Sequence, residues 1–360
     1  MGTADRIASQ RLVNQHLVKP TLARASEVVA LLGAVQAQDY GSAKWALAQR
    51  TRSATDADVE TEIAAGAILR THILRPTWHF VAATDIGWML ALSAPRVHAA
   101  NSYWYRWLEV DDAVARRSRT VLTKALRDGK QLTRTELGQL LTKARIHITS
   151  PQRLACIVMR AELDGLICSG ARRGKQFTYA LLEETIPRPR TLGRDEALHE
   201  LATRYFSTRG PATADDFAWW SGLTKTDAKR AAQSMGRELE QQVIDGKPHW
   251  FPTPARPARR KTPMAHLLPN YDEYFIGFKD RSAFSQRLRA AGIEARTDAL
   301  SGHILAINGQ VVGRWGRTFR GEKAVVHLKL LQKLTAEEKR SVGTTAKRFG
   351  GFLGMPLEIK

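Results

Sequence analysis

Cysteine is almost absent. Cys156 and Cys168 are the only two in 360 residues, too few for a disulfide framework and not in the spacing of a zinc site, so a reducing compartment is expected. The ten histidines are scattered, with no His-x-x-x-His pair, and no metal ion is expected. Neither standard Gly-rich phosphate loop occurs, which argues against a nucleotide-driven motor, and no cofactor is implied. No apolar run approaches the roughly 20 residues needed to span a bilayer. The start, Met1-Gly2-Thr3-Ala4-Asp5, lacks the basic-then-apolar order of a signal peptide. A cytoplasmic protein without a membrane partner is the expectation.

Acidic residues are the other scarcity. Thirty-five stand against 55 lysines and arginines, a net charge of +20. The excess is +2 over residues 1–100, +8 over 101–190, +2 over 191–260 and +8 over 261–360. A field of that sign draws in polyanions, and nucleic acid is the first partner to consider. GC-rich coding accounts for 38 arginines against 17 lysines, but it does not remove acidic residues.

Along the first 260 residues one unit recurs, two or three short helices followed by a β-hairpin, the element order of a winged helix. In the first copy, helices over 28–35, 42–50 and 56–65 precede two strand-like stretches around Arg75-Pro76. The second begins at Thr133, which with Glu136 has capping-box spacing, and ends in strands around the basic tip Ala171-Arg172-Arg173-Gly174-Lys175. The third places a helix over 214–220, a turn at Ser221-Gly222-Leu223 and a helix from the N-cap Thr224 to Met235 ahead of a hairpin turning at Asp245-Gly246. The aromatic run Tyr103-Trp104-Tyr105-Arg106-Trp107 could stack on bases, but its spacing favours an inter-domain core. Residues 252–263, with Pro252, Pro254, Pro257, Pro263, Arg256, Arg259, Arg260 and Lys261, form an extended linker.

Beyond the linker the pattern is mainly β. Asn308-Gly309 between two apolar stretches is the strongest short hairpin signal in the chain. A strand over 324–330 and a helix over 335–349 follow, Thr335 and Glu338 again having capping-box spacing. The expected architecture is α+β: winged helices over 1–83, 113–185 and 190–255, a helical linker over 84–112, and a C-terminal α+β domain over 262–360. Arg314, Trp315, Arg317 and Arg320 cluster on the C-terminal hairpin, and either insertion into a DNA groove or a charge-protected sheet edge accounts for them.

The candidate chemistry lies in Val35-Gln36-Ala37-Gln38-Asp39, a polar interruption at the end of an apolar helical run. Residues two apart share a face only in extended geometry, so Gln36 and Gln38 meet only if the helix loosens before Gly41. From residue chemistry alone, glutamines at a helix end serve capping or inter-domain hydrogen bonds. Asp39 is a rival catalytic residue, since a carboxylate acts on water directly. His79 is a candidate DNA contact or a packed histidine, and Arg172, Arg173 and Lys175 are candidate phosphate contacts.

Gln36-Ala37-Gln38, followed by Leu74-Arg75-Pro76-Thr77-Trp78-His79 and by Leu268-Pro269-Asn270-Tyr271-Asp272-Glu273-Tyr274 with Lys279-Asp280-Arg281, resembles the AlkZ-like winged-helix DNA glycosylase family. The resemblance covers nearly the whole chain. It implies three tandem winged helices in a C-shaped body clasping duplex DNA, and a Gln-x-Gln catalytic signature falling on Gln36 and Gln38. Ala37 is a small occupant of the middle position. The implied activity is monofunctional hydrolysis of the N-glycosidic bond of N7-alkylated purines, including unhooking of azinomycin-type interstrand crosslinks, in base-excision repair and toxin self-resistance. The implied partner is double-stranded DNA carrying alkylated or crosslinked guanine, bound by a monomer. The alternatives are a non-catalytic winged-helix transcriptional regulator, which is ordinarily dimeric, and a structural or RNA-binding protein using the same field without chemistry.

Overall fold

The computed structural model describes residues 2–236, 238–253, 262–293 and 302–360. Of the expected linker, Pro254, Arg256, Pro257, Arg259, Arg260 and Lys261 lie outside the described residues. The chain divides into two compact units, each discontinuous in sequence. The first draws on residues 1–60, 201–220 and 225–360, the second on 61–200 and 221–224.

The first unit is organised by a five-stranded sheet. In spatial order its strands are Leu357–Ile359, Lys323–Leu330, Gln310–Arg320, Ile304–Ile307 and Ala265–Leu268. All neighbours are antiparallel except Lys323–Leu330 with Leu357–Ile359. Asn308 and Gly309 have φ of 49° and 81°, so both central residues of this two-residue turn are left-handed, the geometry whose twist matches that of the paired strands. The helix Ala336–Leu353 opens on the expected capping box of Thr335 and Glu338. Val342, Ala346 and Phe349, spaced three and four apart, bring one face of it into the core with Leu267, Leu305, Ile307, Val312 and Val326. Burying a side chain of the size of Phe349 stabilises by about 1.5–3 kcal/mol.

Trp45, from the helix Tyr40–Ala48, enters the same core. Its ring meets Phe349 edge-on at 5.0 Å, and its indole N–H donates to the Leu267 carbonyl at 2.8 Å. The segment just after the Gln-Ala-Gln motif is thereby anchored to the C-terminal sheet. Also in this unit, the strands Glu240–Ile244 and Lys247–Phe251 pair antiparallel about Asp245-Gly246, with φ of 48° and 74°.

The second unit packs the helices Asp112–Leu126, Arg134–Lys143 and Pro151–Leu163 around Leu122, Leu126, Leu137, Leu141, Ile157 and Leu181. The Thr133 and Glu136 capping box forms as expected. Strands Ile167–Ser169 and Thr178–Leu181 then make the hairpin whose tip is Gly174 and Lys175. A second hairpin pairs Ile68–His72 with Trp78–Ala82. The aromatic run does not fill a core. Tyr103, Trp104 and Trp107 are 60%, 48% and 60% exposed. On the helix Ser102–Trp107 these three positions share one side, and the 100° turn per residue brings Tyr105 round to pack against the core.

Candidate active site

The glutamine motif sits on a strand end, not on a helix end. The helix Ala25–Leu32 stops at Gly33, whose φ of 80° takes the chain out of helical geometry, and Ala34–Gln36 runs extended. The expected helix over 28–35 is therefore three residues too long. Its residues are all apolar or glycine, and periodicity cannot separate a buried helix from a buried strand over so short a run. Gln36 is 6% exposed and Ala37 fully buried, whereas Gln38 is exposed. Extended geometry ends at Gln36, so one glutamine faces the interior and the other faces solvent.

Asp39 is the N-cap of the helix Tyr40–Ala48. Its Oδ1 accepts the Ser42 backbone N–H at 3.2 Å and its Oδ2 accepts the Ser42 hydroxyl at 2.6 Å. Both oxygens of the rival carboxylate are occupied in capping.

Ala34–Gln36 is held by a buried ion pair that sequence reasoning missed. Glu273 Oε1 accepts the Gln36 backbone N–H at 2.9 Å, while Oε2 accepts from Arg209 Nη2 at 2.6 Å and from the Trp220 indole N–H at 2.9 Å. Arg209 donates to the carbonyls of Leu32 at 3.0 Å and Ala34 at 3.3 Å, and its guanidinium lies 4.3 Å from the Trp220 ring. Both charged side chains are fully buried. The neighbouring Asp272 makes a second buried pair, bidentate to Arg50 at 2.8 and 3.0 Å. The one available signal was the sequence Asp272-Glu273 within an otherwise apolar and aromatic stretch.

On the other side of the motif Arg317 donates to the Ser42 hydroxyl at 3.4 Å. His303 stacks on Trp315 with ring centroids 4.7 Å apart, and its Nδ1 accepts the Asn270 backbone N–H at 2.9 Å, which leaves the neutral-ring proton on Nε2. Burial lowers the His303 pKa, Arg317 lowers it further, and Asp39 opposes both. This histidine too was not singled out in the sequence.

The remaining candidates separate into surface and core. Strand alternation puts Arg314 and Arg320 on one face of the C-terminal hairpin and Arg317 on the other with Trp315. Arg314 stands opposite Lys329, and Arg320 opposite Lys323. Trp315 is 4% exposed and donates its indole N–H to the Leu268 carbonyl at 2.8 Å, so it is a core residue instead of a DNA-facing one. His79 is fully buried as well, its Nδ1 2.9 Å from the Thr77 carbonyl, and is a packed histidine. Arg172 lies 5.5 Å from the Phe177 ring, Arg173 pairs with Glu136 at 2.8 Å, and Lys175 is exposed at the hairpin tip. A cavity of about 760 Å³ in the first unit is lined by Asp215, Lys229, Lys247, Lys279, Arg281 and Arg289 among others, and by neither glutamine. It is not the site that the motif marks.

Known proteins agree with this architecture. The solved structure of Streptomyces sahachiroi DNA glycosylase AlkZ superposes with a TM-score of 0.80 over 100% of both chains at 23% identity, which establishes a shared α+β fold. An interstrand DNA cross-link repair glycosylase of the same organism is 26% identical over 98% of each chain. The model of the family described as DNA glycosylase AlkZ-like matches residues 29–352, a span that includes Gln36, Gln38, Arg209 and Glu273. The chain belongs to the AlkZ-like DNA glycosylase family.

Proposed function

We propose that this DNA glycosylase hydrolyses the N-glycosidic bond of N7-alkylated purines in duplex DNA, including guanines joined in an azinomycin-type interstrand crosslink, with Gln36 and Gln38 as its catalytic pair. A glutamine has no useful pKa and cannot serve as a general base. Alkylation at N7 makes the base a cation before the enzyme acts, so it leaves with the bonding electrons and without protonation. The enzyme has only to orient a water at the sugar and favour an oxocarbenium-like state, which amide carbonyls can do. Water oxygen bonds to the anomeric carbon, the base departs neutral, and the water's proton passes to solvent.

The observation that carries this proposal is the asymmetric fixing of the motif. Gln36 is locked into the protein and Gln38 faces out, while the adjacent Asp39 is committed to a helix cap. Tandem winged helices supply the DNA grip in this proposal, with Lys175, Arg172 and Arg173 at one wing and Arg314, Arg317 and Arg320 at the C-terminal hairpin. Like charges directly across two strands are destabilising by themselves, and the pairs Arg314 with Lys329 and Arg320 with Lys323 suit a surface whose partner is a phosphate backbone.

The test is a duplex carrying a single N7-methylguanine or an azinomycin-type crosslink, incubated with enzyme and then heated in alkali to reveal strand breaks at the lesion. The Gln36→Ala, Gln38→Ala double variant should lose about 100- to 1,000-fold in rate, the range seen when a preorganised polar group is removed from a site. Full rate in that variant would mean the pair is misassigned, and no abasic product from either duplex would sink the substrate proposal.

A further inference from the structure

We infer that Glu273 and Arg209 are positioning residues for the glycosylase reaction, setting where Gln36 stands through the backbone of its strand. The inference rests on the assignment of Gln36 to the catalytic pair. The hydrogen bonds of the ion pair converge on three backbone groups two residues apart, the carbonyls of Leu32 and Ala34 and the N–H of Gln36. Ala34 and Gln36 are alternate residues of the extended segment, so their backbone groups point to the same side, while the Leu32 carbonyl closes the helix before Gly33. A side-chain ion pair thus occupies, along that edge, the place of a neighbouring strand.

Stability alone is a poor reason for such an arrangement. Taking two charges fully out of water is costly, and an apolar pair of similar volume commonly serves stability as well or better. What an ion pair adds is direction. The Arg209 fork has fixed donor geometry and meets two carbonyls and a carboxylate at once, and Trp220 closes the remaining side of the carboxylate. Glu273 is itself fixed. It follows the N-cap Asp272, whose carboxylate is gripped by Arg50, and Tyr271 before it has a φ of 63°, a left-handed conformation that persists only where surroundings enforce it. The reach from Gln36 to Glu273 spans 237 positions of sequence, so the C-terminal half of the chain takes part in placing the N-terminal motif. A misplacement of about 1 Å in a group that orients a reactant costs on the order of 100-fold in rate.

The experiment is a double-mutant cycle on the full-length enzyme, read as single-turnover excision of N7-methylguanine, with the Kd for undamaged duplex measured alongside. Variants are assayed at a temperature where their circular dichroism matches the parent. Glu273→Gln should slow excision by about 10- to 100-fold while leaving that Kd within about twofold. In a Gln36→Ala background the same substitution should change the rate by less than about twofold, because the effect passes through Gln36. Arg209→Lys, which keeps the charge but loses the fork, should show the same non-additivity and decides the matter if Glu273→Gln folds poorly. A full rate in either folded variant, or an equal loss with and without Gln36, overturns the positioning role. If Gln36→Ala alone retains full rate, it is the site assignment that has failed, a pattern distinct from the other two.

Discussion

Replacing Asp39 with asparagine separates the two jobs that a carboxylate beside the motif could perform. As a water-activating base it needs its charge; as an N-cap it needs only acceptor oxygen. An asparagine oxygen can still cap the Ser42 N–H, but its amide NH2 cannot accept from the Ser42 hydroxyl as Oδ2 does, so Asp39→Asn should cost the charge–dipole contribution, about 0.3–1 kcal/mol, and about 1 kcal/mol more for that hydrogen bond. Asp39→Ala removes the acceptor for the Ser42 N–H and the Ser42 hydroxyl together, at a residue that is fully buried. Losing a cap costs about 1 kcal/mol, and stranding a buried donor about 1–3 kcal/mol, so about 2–4 kcal/mol is expected in all. In a unit of about 200 residues that corresponds to a melting shift of about 4–16 °C for alanine and a smaller one, about 3–8 °C, for asparagine. Thermal denaturation and single-turnover excision on the same preparations measure both effects. The asparagine variant should keep its rate within about threefold, since general-base catalysis is not in use. A variant that melts like the parent but excises more than about 100-fold more slowly would show that Asp39 does the chemistry, and the argument from its occupied oxygens would be refuted.

Two further outcomes follow from the same geometry. Arg314→Ala with Arg320→Ala should make the dependence of log binding constant on log salt shallower by about 2, each lost phosphate contact contributing about 0.9, and an unchanged slope would remove the hairpin from the DNA surface. His303 has a folded pKa below its ordinary 6.5, chiefly through burial and then through Arg317. Its contribution to stability is therefore complete above pH 6.5 and is lost as pH falls below that value toward the folded pKa. Melting temperatures between pH 8 and 5 should decline for the parent and decline less for His303→Asn, whose carbonyl can still accept the Asn270 N–H; identical profiles would exclude His303 as a contributor.

Much of the local structure was legible because its causes are local. Thr133 with Glu136 and Thr335 with Glu338 cap their helices from three residues away, and Asn308-Gly309 and Asp245-Gly246 turn the chain because these residues tolerate positive φ. The glutamine motif was legible as an oddity and through family resemblance, but its conformation was not. Apolar character over 28–35 predicts burial and says nothing of the change from helix to strand at Gly33. The aromatic run 103–107 erred in the opposite direction, since large apolar side chains are ordinarily buried and nothing local shows that Tyr103, Trp104 and Trp107 remain exposed.

By itself the sequence determined the turns, the caps, the distribution of positive charge and the presence of the Gln-Ala-Gln motif. These follow from residue chemistry and from neighbours a few positions away. Only the tertiary structure decided that Gln36 is buried and Gln38 is not, that Asp39 is a cap, and that Trp315 and His79 belong to the core. It also decided that Arg209 meets Glu273 across 64 positions and that Glu273 meets the Gln36 backbone across 237. The physical reason is desolvation. Whether a charge is solvated or paired, and whether a backbone group must find a partner, depends on what surrounds it in space, and for these residues the surroundings come from distant parts of the chain.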